Sequence, residues 1–288
     1  MSEPRCSALS LARHEPMIGT AFADRGVLLV EQPGPWGHAG LSASRFDPAV
    51  AAALGARAAA ADLRVLAIRR PGREAPHARR WAVSVPGGVA WAAYRDDADL
   101  LDVPLDGSAG QVDALPTYLV CAHSKRDVCC AISGRPVAAA IDALRPGRVW
   151  ECSHTGGHRF APNVLALPVG ALYGRVPLGR VAEVVAATER GEVIAGRLRG
   201  ELGHPPAVQA ALAQARLELG IAARDAVRVV SASQGTPDEW VVRLATPDSL
   251  QDVAVTMATV ATPFPSCGKP GPKDERVAVS ARLLPAAG

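Results

Sequence analysis

Residues 117–158 read TYLVCAHSKRDVCCAISGRPVAAAIDALRPGRVWECSHTGGH. The stretch opens on a short apolar run, 117–121, which predicts a buried strand. An Ala-rich segment from about 129 to 144 predicts a helix, and 148–152 a second short strand. Downstream, 164–167 and 172–176 flank Pro168-Val169-Gly170 and read as a hairpin. Two parallel strands joined by a helix and followed by an antiparallel hairpin leave few topologies open.

The same order occurs upstream. A strand at 26–32 (GVLLVEQ) is followed by a Pro/Gly loop, 33–37, and by an Ala-rich helix from Asp47 to about Ala61. Asp47 is the expected N-cap. A strand at 63–68 and a hairpin around Pro86-Gly87-Gly88 complete the set, so that Arg64-Val65-Leu66 falls over Arg148-Val149-Trp150 and Val85-Pro86 over Leu167-Pro168. This is the core order of a thioredoxin-like unit, present twice. Beyond Val176 the pattern changes: helices at 178–190 and 206–219, strands at 226–231, 240–244 and 277–283, and a Pro/Gly-rich loop at 263–272 holding Cys267. The expected fold class is α/β with an α+β tail: a degenerate thioredoxin-like unit over 1–112, a second carrying the site over 113–178, and a small α+β segment over 179–288.

Composition narrows the function. The chain has 288 residues, with 49% hydrophobic and 20% charged side chains, enough apolar surface to exclude global disorder. A net charge of +3 argues against a nucleic-acid partner, whose binding would rest on many phosphate contacts. Six cysteines are too few for a disulfide scaffold. The first residues lack a secretory pattern, and no run of about 20 apolar residues occurs. The expectation is a cytoplasmic protein with no membrane partner.

The chemistry concentrates where the two halves differ. After its parallel strands the first half has Glu31-Gln32-Pro33 and Arg69-Arg70-Pro71-Gly72, whereas the second has CAHSKRDVCC (121–130) and CSHTGGH (152–158). Loops at the carboxyl ends of adjacent parallel strands are where open α/β sheets place ligands. Cys121 and Cys130 are nine residues apart and His154 and His158 four apart, which is unlike the close cysteine pairs of zinc fingers. Gly156-Gly157 favours a loop that lets backbone N–H groups approach a ligand, one of the levers that tune iron–sulfur centres. Cys152 and Cys129 read as small apolar fillers or as residues packed around the site. His123 and Arg159 read as hydrogen-bonding or partner-docking residues, or as solvated surface. From Cys121 to Phe160 there are six basic and three acidic residues, a local excess that includes Lys125 and Arg126.

The C-x8-C pattern followed by H-x-G-G-H, with KRDVCC and RVWECSH beside it, resembles the sucrase/ferredoxin-like family, relatives of thioredoxin-like 2Fe–2S ferredoxins. The motif core spans 119–176, and a looser likeness includes LLVEQPGPWG (28–37). The resemblance implies a 2Fe–2S cluster on Cys121, Cys130, His154 and His158, with Cys129 as the alternative to Cys130. It also implies Rieske-like, one-electron transfer that a proton can accompany, and a redox partner protein. Hydrolysis of sucrose is not expected, because glycosidases need two opposed carboxylates. Asp127 and Glu151, the only acids near the motif, read as a helix cap or a salt bridge. An electron carrier is thus expected rather than a self-sufficient enzyme. A structural zinc module and a thiol–disulfide oxidoreductase are the competing readings, the first disfavoured by ligand spacing and the second by the lack of a Cys-x-x-Cys. Cys6 and Cys267 have no assigned role, and His14, His38, His77 and His204 no common one.

Overall fold

The computed structural model describes residues 5–73, 78–268 and 271–285. His77, residues 1–4 and part of the 263–272 loop lie outside them. In chain order the elements are α1 (Cys6–Ala12), β1 (Gly26–Glu31), α2 (Pro48–Ala60), β2 (Leu63–Arg69), β3 (Arg79–Val85), β4 (Gly88–Tyr94), β5 (Gln111–Asp113), β6 (Thr117–Cys121), α3 (Val128–Leu144) and β7 (Val149–Cys152). There follow β8 (Val164–Leu167), β9 (Ala171–Tyr173), α4 (Val181–Glu189), β10 (Leu198–Glu201), α5 (Pro206–Leu219), β11 (Arg228–Thr236), β12 (Glu239–Ala245), β13 (Leu250–Thr262) and β14 (Lys273–Leu283).

Strands β1 to β10 form one mixed sheet in the order β10-β9-β8-β6-β7-β2-β1-β3-β4-β5, and β11 to β14 a separate antiparallel sheet. The two halves repeat one arrangement, β2-β1-β3-β4 and β7-β6-β8-β9, each with its first two strands parallel. They meet where β2 pairs antiparallel with β7, Ile68 opposite Cys152 and Arg69 opposite Glu151. The repeat therefore builds one continuous sheet. Its architecture is mixed α/β.

Strict alternation assigns the faces. Leu28 and Val30 of β1 pack with Val50, Leu54 and Ala58 of α2, while Tyr118 and Val120 of β6 pack with Val137, Ala138 and Ile141 of α3. The intervening Val27, Leu29, Leu119 and Cys121 enter a core shared by both halves, in which Trp91 and Trp150 stack at 5.3 Å. Buried on both faces, β1 and β6 read as continuous apolar runs.

Two features depart from the expected pattern. β10 lies within 179–288 yet pairs with β9, so that segment contributes to the large sheet. Helix α5 joins the layers: Arg216 pairs with Glu201 of β10 at 3.0 Å, and the helix packs on Val253 and Val255 of β13. β13, thirteen residues long, was not expected; Ala254, Ala258 and Ala261, poor strand formers, dilute its alternation. No helix among the described residues is long and apolar enough to cross a membrane.

Candidate metal centre

Parallel pairing of β6 with β7 sets Cys121 beside Cys152 at one end of the sheet. The chain then turns, and Asp127 starts α3 by accepting a hydrogen bond from the Cys129 N–H at 2.8 Å. Cys130 falls in the first helical turn and returns over the end of β6. Gly134, one turn further, lets the helix approach: a Cβ there would stand 2.2 Å from the Cys121 carbonyl oxygen. Both thiols are fully buried.

The loop after β7 is fixed from several sides. Ser153 donates its N–H to Ala67 of β2 at 2.7 Å, and its Oγ accepts from the Ala67 N–H at 3.0 Å. The His154 N–H donates to His123 Nδ1 at 3.2 Å, which leaves the His123 proton on Nε2, 2.6 Å from the Gly37 carbonyl. His123 thereby ties the histidine loop to the Pro/Gly loop of the first half. Gly156 and Gly157 take φ of 78° and 58°, and a Cβ on Gly157 would meet Arg199 Nη2 at 2.5 Å. That arginine is 1% exposed and donates to the Gly156 carbonyl at 2.9 Å, to Asn163 Oδ1 at 3.0 Å and to Thr20 Oγ1 at 3.1 Å. Burial pulls its pKa down to about 9, which leaves a cation beside the thiols at neutral pH.

Three of the expected ligands converge directly: Cys121 Sγ, Cys130 Sγ and a ring nitrogen of His154 all lie within 4.8 Å of one another, with His154 Nδ1 4.0 Å from Cys121 Sγ. His158 is outside that group but adjoins it, its ring stacked on His154 at 5.1 Å. His158 Nδ1 is buried without a hydrogen-bond partner, and Asp127 Oδ2 is 3.4 Å away. A hydrogen bond from the Cys130 thiol holds the Cys121 pKa well below its ordinary value, helped by His154 and opposed by burial. The same contact, with burial, pushes Cys130 up. One proton thus serves the two sulfurs. Burial pulls His158 down to about 4, leaving the neutral imidazole that binds metal ions. Cys152 is fully buried and its pKa raised by that burial, as an apolar filler.

The remaining candidates are placed as follows. Cys129 Sγ faces away from this group and lies 3.5 Å from Cys6 Sγ and 3.3 Å from Cys267 Sγ, so Cys130 is the cysteine brought to Cys121. Arg159 is neither solvated nor free to dock a partner: buried, it pairs with Glu15 at 3.1 Å and Glu275 at 2.5 Å. Glu151 is held by Arg69 at 2.7 Å and Asp127 caps α3. Lys125 borders a cleft of about 450 Å³ with Trp36 and Arg135. Arg126 lies 3.1 Å from His38 Nδ1, and with His38 and His154 it lines an opening of about 320 Å³. His123 takes the hydrogen-bonding reading that the sequence offered for it, whereas Arg199, which also holds the loop, carries no local pattern that announces it.

The donor set suits a metal group. It consists of two buried thiols, two imidazoles, one with an unpartnered buried nitrogen, and a glycine pair that keeps side chains out. A family model described as sucrase/ferredoxin-like matches residues 27–200, three-fifths of the 288-residue chain. The chain belongs to the sucrase/ferredoxin-like family. The family region runs from β1 to β10, and thus covers the large sheet and all four candidate ligands but not Cys6, Cys267 or the four-stranded sheet. A curated relative, altered inheritance of mitochondria protein 32 of Candida glabrata, is 31% identical over 98 residues, which cover 29% of this chain and 31% of the relative. The chain therefore matches less than a third of that relative's length. No solved structure matches.

Proposed function

We propose that Cys121, Cys130, His154 and His158 hold a 2Fe–2S cluster and that the protein is a one-electron carrier. The observation that carries this reading is the convergence of two buried thiols with a stacked pair of imidazoles at the end of β6 and β7. The repeated β2-β1-β3-β4 order supports a thioredoxin-like frame in each half. When bound, such a group supplies reversible one-electron chemistry, and replacing thiolates by imidazoles raises the potential from about −400 mV toward the −150 to +300 mV range of Rieske centres.

The chain's own residues define the environment. Cys121 and Cys130 enter as thiolates after losing their shared proton. His123 orients the backbone of His154, and the buried guanidinium of Arg199 offsets thiolate charge. With Nδ1 of His154 turned to Cys121, Nε2 is left for a proton that can exchange through the opening lined by His38 and Arg126. An electron that moves with a proton makes the potential fall as pH rises. Lys125 and Arg126 beside the openings favour an acidic redox partner, whose reaction rate would fall with salt. All six cysteines are unpaired, which suits a reducing compartment, and we assign the cytoplasm.

Iron and acid-labile sulfide are counted after anaerobic reconstitution, with visible and EPR spectra. Wild type should hold two irons and two sulfides per chain. Cys121→Ser and Cys130→Ser should lose them, while Cys129→Ser keeps them. His154→Ala and His158→Ala should bleach the spectrum, and an unchanged spectrum in both would refute the histidine ligation. A second reading, in which Cys121 and Cys130 form a dithiol couple, is favoured by their proximity but opposed by their complete burial; colourless, iron-free protein with a reversible disulfide would establish it instead.

A further inference from the structure

Cys6, Cys129 and Cys267 are separated by more than a hundred residues at each step, yet their sulfurs form a near-equilateral triangle. The edges are 3.5 Å from Cys6 to Cys129, 3.3 Å from Cys129 to Cys267 and 3.5 Å from Cys267 to Cys6. A fourth donor closes the group, since the Asp127 carboxylate oxygens stand 3.8 and 3.7 Å from Cys6 Sγ. These four ligand atoms all lie within 4.8 Å of one another. Three elements supply them: Cys6 opens α1, Asp127 and Cys129 lie at the start of α3, and Cys267 sits on the loop between β13 and β14.

The separations fit a tetrahedral ion. Zinc bonds thiolate sulfur at about 2.3 Å and carboxylate oxygen at about 2.0–2.2 Å, so sulfurs on one ion lie about 3.8 Å apart and a sulfur and an oxygen about 3.6 Å apart. A small outward movement of each thiol completes the match. Two hydrogen-bond donors face the sulfurs: the Cys6 N–H donates to Cys267 Sγ at 3.3 Å and the Ser7 hydroxyl to Cys129 Sγ at 3.3 Å. Asp127 is positioned from behind by N–H groups, Cys129 to Oδ1 at 2.8 Å and Cys267 to Oδ2 at 2.8 Å, with the Ser266 hydroxyl also on Oδ2 at 3.0 Å. Cys6 and Cys129 are buried while Cys267 is exposed, which gives an ion a way in.

We propose that Cys6, Cys129, Cys267 and Asp127 form a second metal site, one that binds a zinc ion and clasps α1 and the β13–β14 loop onto the start of α3. Binding releases the three thiol protons and leaves a site of S3O composition. The proposal is independent of the 2Fe–2S reading, because zinc and iron are counted separately and the two donor sets share no residue.

The test is elemental analysis and zinc-edge X-ray absorption on the full-length protein, purified under reducing conditions, loaded with zinc and desalted. One zinc per chain with three sulfur neighbours at about 2.3 Å is expected. Cys267→Ser, at the exposed corner, should weaken zinc binding by more than the roughly 10–100-fold that loss of an outer hydrogen-bonding partner costs, with iron content unchanged. Cys6→Ser provides the second variant, with circular dichroism as the check on folding. The proposal is overturned if folded wild type retains no zinc, if both variants bind it as wild type does, if Cys121→Ser is the variant that loses it, or if peptide mapping finds two of the three thiols joined as a disulfide under those conditions.

Discussion

Gly134→Ala tests how α3 is seated over the candidate centre, and Gly55→Ala is its internal control. Each glycine lies inside a helix, where alanine is intrinsically better by about 1 kcal/mol. Nothing lies within 4 Å of a Cβ built on Gly55, so the full gain should be realised there. At Gly134 the same atom would stand 2.2 Å from the Cys121 carbonyl oxygen and 3.3 Å from its carbon. Ordinary contact needs more than an ångström of further separation, and both partners are backbone. Overpacking of this kind costs about 1–3 kcal/mol, and a hard overlap with a carbonyl belongs at the upper end, for a net loss of about 2 kcal/mol. With a urea m-value near 3 kcal/mol/M, the unfolding midpoint of the metal-free protein should drop by about 0.7 M for Gly134→Ala and rise by about 0.3 M for Gly55→Ala. Because the helix must lift off the strand that carries Cys121, reconstituted iron per chain should fall in the first variant and hold in the second. Equal stabilisation by both substitutions would refute the seating of α3 on Cys121.

Three other outcomes follow from the buried charges, the caps and the histidines. Glu151→Gln removes the charge that receives the Arg69 guanidinium at 2.7 Å at the β2–β7 junction, where the two side chains are 7% and 5% exposed, and should cost about 1.5–3 kcal/mol by urea unfolding, most of it recovered in a double variant with both residues apolar. Asp47→Ala removes the acceptor for the Ala49 and Val50 N–H groups at the start of α2 and should cost about 1 kcal/mol, detectable as a lower thermal midpoint. Burial pulls the His204 pKa below its ordinary 6.5, so between that lowered value and 6.5 the unfolded chain binds more protons than the folded one. The stability that His204 contributes is complete above 6.5 and is lost as pH falls; His204→Gln should show a smaller drop in thermal midpoint between pH 7 and pH 5 than wild type, and an identical drop would remove His204 from the acid sensitivity.

The parts of this fold that were legible in the sequence are those governed by neighbours along the chain. The apolar run 117–121, the Asp47 and Asp127 caps and the Gly156-Gly157 turn each act within a few residues, and each stands where the sequence places it. What escaped is governed by partners far away. Arg199 looks like any surface arginine until its guanidinium is found beneath the histidine loop. The pairing of Ile68 with Cys152 that fuses the halves has no local signature, and Cys6 and Cys267 meet only because α1 and the β13–β14 loop both reach the start of α3.

The choice between Cys129 and Cys130 shows where that line falls. Consecutive residues on an α-helix point about 100° apart, so the rotation of α3 about its axis decides which of the two sulfurs faces β6. Gly134 is four residues beyond Cys130 and therefore on the same face, and it is the residue whose missing side chain admits the Cys121 carbonyl. A helix face that must meet a strand backbone at a glycine carries its i−4 neighbour to that strand as well. The C-x-x-x-G spacing from Cys130 to Gly134 was thus a readable signal that Cys130 would face Cys121, and it leaves Cys129 turned toward Cys6 and Cys267.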